Sequence, residues 1–201
     1  MVAIPVFYAT DRARIAEGTL DYGVARSPGG KLWLGRYDVS IPFSHETGKV
    51  ERPTIWTFYR EDPNKHFVIV SRKQQSYDEF YGDIRGMVSR SPLKDALVFI
   101  HGFNVAFEDA VFRTAQMAHD LEFKGAPILY SWPSNTGENP VGYNKAQGNS
   151  DWTASHLDYF LRDVTSKTGN HFKIAKSGSA VTRTCTTVAT MGCPKGGATS
   201  W

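Results

Sequence analysis

Three short segments of the sequence carry residues that could take part in acyl transfer. They are His101–Asn104, Ser131–Ser134 and Lys176–Ser179, and each directly follows a short apolar run. The His101-Gly102 turn precedes a helix that we predict from about Phe107, and backbone N–H groups at such a position can hold a developing oxyanion. The alternative is an ordinary tight turn, with Gly102 at a positive φ and Asn104 as the N-cap of the helix.

The serines and tryptophans near these segments are weaker candidates. Ser131 and Ser134 could be nucleophiles only in the sense that they lie at the same predicted sheet edge, and helix capping or turn formation is the commoner role. Trp132 and Trp152 could line an acyl pocket, although packing is the usual role of tryptophan. We find no His, Asp or Glu cluster with metal-ligand spacing, and we expect neither a metal nor a cofactor.

We predict no catalytic role for the histidines outside the segment His101–Asn104. His45 and His66 have no partner that the sequence reveals, and His171 precedes a predicted strand. His119 and His156 lie within predicted helices, where a partly exposed or hydrogen-bonded histidine is the usual case.

The three segments that could take part in a reaction must be positioned by a sheet. From residue 96 onward the pattern predicts strand, helix, strand, helix, strand, an order that indicates parallel strands in an α/β fold. In such a sheet, ligands bind beyond the carboxyl ends of the strands. The predicted elements are a strand over Ala96–Ile100, a helix over Phe107–Phe123, a strand over Ile128–Ser131, a long loop over Pro133–Asn149, a helix from the cap Asp151 to Gly169, and a strand over Phe172–Ala175.

Helical spacing also predicts which side chains face the core. The helix from Phe107 buries a stripe that ends at Leu121, and the helix after Asp151 turns Trp152, His156, Tyr159, Phe160 and Val164 inward.

The first third of the chain is predicted to be strands followed by one helix. Strands are expected over 4–8, 32–41, 55–59 and 67–70, separated by turn sequences. Ser76 and Glu79 form a capping-box pattern, which predicts a helix over about 77–89.

Four motifs together resemble a known family. Tyr8–Arg12, Ile100–Asn104, Phe107–Ala110 with Arg113, and Ser131–Ser134 look like an uncharacterised bacterial branch of the alpha/beta-hydrolase superfamily, related to esterases and lipases, and the resemblance covers residues 4–175. It implies a mostly parallel sheet with flanking helices and a serine nucleophile, Ser177, on the elbow after the last strand. It also implies oxyanion N–H groups from Phe103 and Gly178, and substrate contacts from His101, Gly102, Asn104, Ser131 and Trp132.

The sequence departs from this family at the elbow. The family pattern there is similar to His-Ser-Met-Gly, whereas this chain has Lys176-Ser177-Gly178-Ser179. In the superfamily the acid and the base follow the nucleophile, but residues 178–201 contain no Asp, Glu or His. We therefore expect an impaired hydrolase that lacks the C-terminal strands. Our hypothesis for the change is a frameshift or an abnormal terminus near residue 175.

The distribution of charge also changes near residue 175. The net charge is +3, yet residues 1–175 carry 20 basic and 20 acidic residues, so the excess lies in residues 176–201. We predict one alpha/beta-hydrolase-like domain over 1–175, with N-terminal strands over 1–75 and an α/β core over 76–175, followed by an atypical Thr/Gly-rich tail.

The three dispersed cations of this tail are too few for a nucleic-acid-binding surface. No apolar run is long enough to span a membrane, and no secretory signal is visible, which favours the cytoplasm unless a signal was removed.

Two classes of function remain open. The first is a serine hydrolase that acts on a small ester-like substrate, with turnover near background because the base is missing. The second is a non-catalytic truncated or frameshifted fragment or binding module, which could associate with itself through an open sheet edge.

Overall fold

A mixed, mostly parallel six-stranded sheet forms the centre of the protein. The computed structural model describes residues 2–53, 61–134, 140–168 and 172–176. The predicted strand over 55–59 and the tail after residue 176 lie outside these residues. The elements are β1 (Val2–Thr10), β2 (Arg12–Arg14), β3 (Tyr22–Arg26), a 3-10 turn (Pro28–Gly30), β4 (Trp33–Ile41), β5 (Val68–Gln74), α1 (Tyr77–Arg90), β6 (Ala96–Ile100), α2 (Phe107–Asp120), β7 (Ala126–Ser131), α3 (Pro140–Thr168) and β8 (Phe172–Lys176).

The strand order explains how one edge of the sheet collects several loops. The order is β5-β4-β1-β7-β6-β8, in which β1, β7, β6 and β8 pair in parallel and β4 pairs antiparallel with β1 and β5. Strands β6 and β7 are buried along their whole length, as the continuous apolar runs predict for strands covered on both faces. The expected α/β architecture is confirmed, and β1, β6, β7 and β8 all end at one edge, here named the carboxyl edge.

Helices cover the two faces of the sheet unequally. Phe80 of α1 and Phe160 of α3 pack with Ile128 on one face. Val111 of α2 packs with Leu129 on the other face. Because neighbouring strand residues point to opposite faces, β7 contributes to both layers of the core.

The start of α1 follows its sequence signature. Ser76 accepts a hydrogen bond from the Glu79 N–H, and the Glu79 carboxylate accepts one from the Ser76 N–H, so the capping box is complete. This reciprocal pairing satisfies two backbone donors at the helix start. The prediction of this helix is confirmed.

The end of α2 differs from the prediction. The helix ends at Asp120 rather than Phe123, because Glu122 adopts a left-handed conformation with a φ of 47°. The Phe123 N–H donates to Ala118 O at 2.8 Å and the Glu122 N–H donates to His119 O at 2.9 Å, the two bonds of a Schellman motif. Leu121 is therefore 63% exposed rather than part of the buried stripe.

The prediction of a loop over Pro133–Asn149 is wrong from residue 140 onward, where the structure has a helix. Helix α3 begins at Pro140, so Asp151 lies inside it rather than at its cap. The first part of α3 is rich in Gly and Asn, which are poor helix formers, so the sequence pattern did not predict a helix there. Tertiary contacts stabilise it, since Arg26 donates to Asn149 Oδ1 and to Gly148 O at 2.7 Å each. Tyr159, predicted to face inward, is 71% exposed.

The β2–β3 hairpin has no counterpart among the predicted elements. It pairs Arg12 with Arg26 and Arg14 with Tyr22, through a register shift. Only three residues long, β2 gives too short a pattern to identify, yet it positions the central arginine of the site.

None of the helices in the described ranges is both long and apolar enough to cross a membrane.

Candidate active site at the carboxyl edge

The carboxyl ends of four parallel strands lie side by side at the carboxyl edge. Thr10 at the end of β1 is in register with Ser131 at the end of β7. Ile100 at the end of β6 is in register with Tyr130 on one side and with Lys176 of β8 on the other. The last residues of these four strands therefore lie at about the same level of the sheet.

Arg12 lies at the centre of this edge and is 1% exposed. Its Nε donates to Ser131 Oγ at 2.9 Å, while its two terminal nitrogens donate to Gly23 O at 3.1 Å and to Val105 O at 2.7 Å. A guanidinium offers five N–H donors in a rigid plane, so one side chain can connect β3, the end of β7 and the loop after β6. Burial lowers the pKa of Arg12 to about 10, which leaves the side chain charged at neutral pH.

His101 contacts the same arginine and is also buried. Its Nε2 lies 3.3 Å from an Arg12 nitrogen and 2.9 Å from Ser131 Oγ, and its Nδ1 lies 2.9 Å from Gly102 O. Because a carbonyl oxygen only accepts, Nδ1 carries the proton and Nε2 is the acceptor. Burial and the charge of Arg12 lower the pKa of His101 to about 3. The imidazole is therefore neutral and a weak base at neutral pH.

Trp132 holds His101 in place from one side. The two rings are stacked, with centroids 5.7 Å apart and an interplanar angle of 8°. The indole N–H donates to His101 O at 2.9 Å, and the Trp132 backbone N–H donates to Nε2 at 3.2 Å. Trp132 thus packs against the edge network, the role that is usual for tryptophan.

A family model described as an alpha/beta hydrolase of unknown function (DUF900) matches residues 76–176, just over half of the chain. The chain belongs to this family. The resemblance was expected over residues 4–175, and the family match shows it from α1 to the end of β8. No curated protein and no solved structure matches the chain.

The loop that follows β6 is where the family resemblance places one of the two oxyanion N–H groups, that of Phe103. Phe103 lies in a turn between β6 and α2. The positive φ in this turn belongs to Asn104, at 53°, rather than to Gly102. Asn104 donates its backbone N–H to Ser134 O at 3.2 Å, and the N-cap of α2 is Ala106. Asparagine tolerates the left-handed region better than most residues, which explains how the turn forms without glycine there.

The structure describes all five predicted substrate contacts, of which Gly102 and Asn104 lie in the connection between β6 and α2. His101, Ser131 and Trp132 are brought together, but they bind one another and Arg12. Ser134 Oγ accepts a hydrogen bond from the Val105 N–H at 3.3 Å, a turn-forming role. Ser177 and Gly178 lie outside the described residues, so their catalytic roles stay predictions.

An aspartate and histidine pair at this edge was missed by sequence reasoning. Asp11, fully buried after β1, accepts from His156 Nδ1 at 3.0 Å and from the Tyr130 hydroxyl at 3.1 Å, and Thr153 also donates to it. A carboxylate on Nδ1 orients an imidazole as in a catalytic triad. The partners are 145 positions apart, so no local pattern could have found the pair.

The position of this pair limits what it can do. An added Cβ at Gly30 would lie 3.0 Å from His156 Nε2, so the 3-10 turn packs closely on that nitrogen. Strands β1 and β8 are separated by β7 and β6. Three strand spacings amount to about 14 Å, which is too far for a direct proton transfer between the ends of β1 and β8.

A shallow cleft lies elsewhere on the protein. It has a volume of about 320 Å³ and includes Pro5 and Phe7 of β1, Arg36 of β4 and Lys124 before β7 in its lining. These residues lie away from the carboxyl edge, so we do not assign substrate binding to this cleft.

Proposed function

We propose that the chain carries the site of a serine acyl hydrolase of the carboxylesterase or lipase type, with Ser177 as the nucleophile. Phe103 and Gly178 donate the backbone N–H groups of the oxyanion hole, and the substrate is a small ester. The observation that supports this proposal is the register of Ile100 with Lys176 on adjacent parallel strands. Ser177 is covalently next to Lys176, and strands in a sheet lie about 4.8 Å apart, a spacing that suits a nucleophile beside an oxyanion loop.

We further propose that this chain of 201 residues turns over esters only near background. The described histidines at the carboxyl edge do not supply a base for Ser177. His101 is neutral, buried and bonded to Ser131, and His156 pairs with Asp11 at the end of β1. A positioned base contributes about 10²–10⁴-fold to such reactions, so its loss leaves oxyanion stabilisation alone.

Chemical rescue tests both parts of the proposal. We expect hydrolysis of a short-chain p-nitrophenyl ester to be near background in plain buffer. Added imidazole can act as an external base, and we expect it to raise Ser177-dependent hydrolysis roughly tenfold, a small part of what a positioned base provides. The measurement is the initial rate as a function of imidazole concentration, after subtraction of the protein-free reaction.

Ser177→Ala and Ser179→Ala form a matched pair of variants for this experiment. Imidazole should no longer stimulate Ser177→Ala, whereas Ser179→Ala should respond like the unchanged chain. Equal stimulation of all three chains would contradict the nucleophile assignment. Fast turnover without imidazole that is abolished in Ser177→Ala would instead contradict the proposal that Ser177 has no base.

A non-catalytic binding module is the second candidate, and the position of β8 supports it. Within the described residues, β8 ends the strand order and pairs with β6 on one side. An open strand edge is a template for pairing with another chain. If this candidate is correct, the apparent mass in size-exclusion chromatography should rise toward that of a dimer as concentration increases. A constant monomer mass over a hundredfold dilution would argue against it.

A further inference from the structure

Two histidines and an aspartate meet near the C-terminal end of α2. One nitrogen of His45, one nitrogen of His119 and one carboxylate oxygen of Asp120 all lie within 4.8 Å of one another. His45 Nε2 is 2.7 Å from Asp120 Oδ1, and His119 Nδ1 is 3.6 Å from the same oxygen. Ligand atoms about 2.0–2.2 Å from a tetrahedral zinc ion lie roughly 3.3–3.5 Å apart, so these three need only small side-chain rotations to share an ion.

The remaining polar atoms of His45 and Asp120 are already held by other groups. His45 Nδ1 lies 2.9 Å from Glu51 Oε2, which leaves Nε2 directed at Asp120. Asp120 Oδ2 accepts from the Gly48 N–H at 2.7 Å and from Gln116 Nε2. A carboxylate that binds the second ring nitrogen of a histidine is the usual support of a metal-bound imidazole. Glu51 therefore fixes the ring of His45, and Gly48 and Gln116 fix the carboxylate of Asp120, so that His45 Nε2 and Asp120 Oδ1 face each other close to His119.

The exposure of the three side chains is uneven. His45 is 3% exposed and Asp120 is 10% exposed, whereas His119 is 36% exposed. The buried members are preorganised, and His119 leaves a path from solvent for an ion and for a water ligand. Three protein ligands with one open position is a common arrangement for zinc.

We propose that His45, His119 and Asp120 bind one Zn²⁺ ion, with Glu51 as the positioning residue behind His45 and water as the fourth ligand. Two imidazoles and one carboxylate suit zinc, whereas magnesium and calcium prefer sets made of oxygen atoms alone. The sequence could not reveal this site, because His45 and Asp120 are 75 positions apart.

The ion would lie too far from the carboxyl edge to take part in a reaction there, and it would stabilise the fold. Helix α2 has 14 residues, so its two ends lie about 20 Å apart. The loop that follows β6 is at the first end, and His119 and Asp120 are at the other. A bound ion joins the segment around His45 to α2, and an ion that binds only the folded chain raises its stability.

Metal titration of the full-length chain tests the proposal. Cys185 and Cys193 are both replaced by Ser in all samples, because thiolates also bind zinc. We expect one Co²⁺ per chain with the intense visible absorption of tetrahedral cobalt, displaced by one equivalent of Zn²⁺. His119→Gln and Asp120→Asn should each abolish stoichiometric binding, and Glu51→Gln should weaken it about 10–100-fold.

Two control variants match the chemistry of the ligand changes. His156→Gln removes a partly exposed histidine on another helix, and Asp158→Asn removes an exposed carboxylate of α3. Both should bind Co²⁺ as the parent chain does. His119 is the decisive position because its side chain is 36% exposed, so the substitution removes little packing, and circular dichroism checks that the variant is folded. Absence of a stoichiometric ion, or equal affinity in His119→Gln and His156→Gln, would overturn the proposal.

Discussion

Arg12→Met is expected to lower the free energy of unfolding by about 3–5 kcal/mol. The substitution removes the donors that bind Gly23 O, Val105 O and Ser131 Oγ. Methionine fills much of the space but offers no N–H, so all three acceptors lose a charged donor, although Ser131 Oγ keeps His101 and Val105 O keeps the Ser134 hydroxyl. A hydrogen bond to a charged group contributes roughly 1.5–3 kcal/mol, and the loss of three such bonds outweighs the gain from removing a buried charge. Urea denaturation at neutral pH measures the change.

Arg162→Met is the matched control for this change. Arg162 is 75% exposed and pairs with Asp158 one helical turn away, at 2.8 Å. Exposed pairs at this spacing contribute about 0.3–0.5 kcal/mol, so the control should lie close to the parent chain. If Arg12→Met and Arg162→Met had equal, small effects, the buried arginine would not hold the carboxyl edge together.

The stability of the protein is expected to fall between pH 6.5 and pH 3 because of His101. Burial and Arg12 lower the pKa of His101 to about 3, whereas an unfolded histidine has a pKa of about 6.5. Between these values the unfolded chain binds a proton that the folded chain does not, so acid favours unfolding. The contribution of the neutral imidazole is present above pH 6.5 and is lost as the pH falls, at up to about 1.4 kcal/mol per pH unit.

A comparison with His101→Gln isolates this effect. Glutamine offers an acceptor oxygen toward Ser131 but does not titrate, and the carboxylates contribute to both chains. We expect the free energy of unfolding, measured with urea at several pH values, to fall less steeply for His101→Gln between pH 6 and pH 4. Parallel curves for the two chains would show that His101 is protonated without cost in the folded state.

Local sequence patterns were sufficient where burial is uniform along an element. Ala96–Ile100 is a continuous apolar run and Ile128–Ser131 is apolar up to its last residue, and both lie within buried parallel strands. Ser76 and Glu79 identified the start of α1 because a capping box is complete within four residues. Four ordered motifs also predicted the alpha/beta-hydrolase family, which the family match confirms.

Patterns failed where contacts between distant residues decide the conformation. The first part of α3 contains Gly142, Asn144 and Gly148, a composition typical of a loop. Arg26 nevertheless binds Gly148 and Asn149 in the helical conformation. Leu121 and Tyr159 show the opposite error, because hydrophobic spacing predicts a face but not where a helix stops or how far its neighbours extend.

For this protein, the sequence alone determined the fold class, the family and the loop after β6, because these depend on periodicity and on motifs of a few residues. Only the tertiary structure revealed how Arg12 meets His101 across 89 positions, how Asp11 pairs with His156, and how His45 approaches His119 and Asp120. Hydrogen bonds and metal ligands depend on distances in space, and strand order decides which distant positions become neighbours.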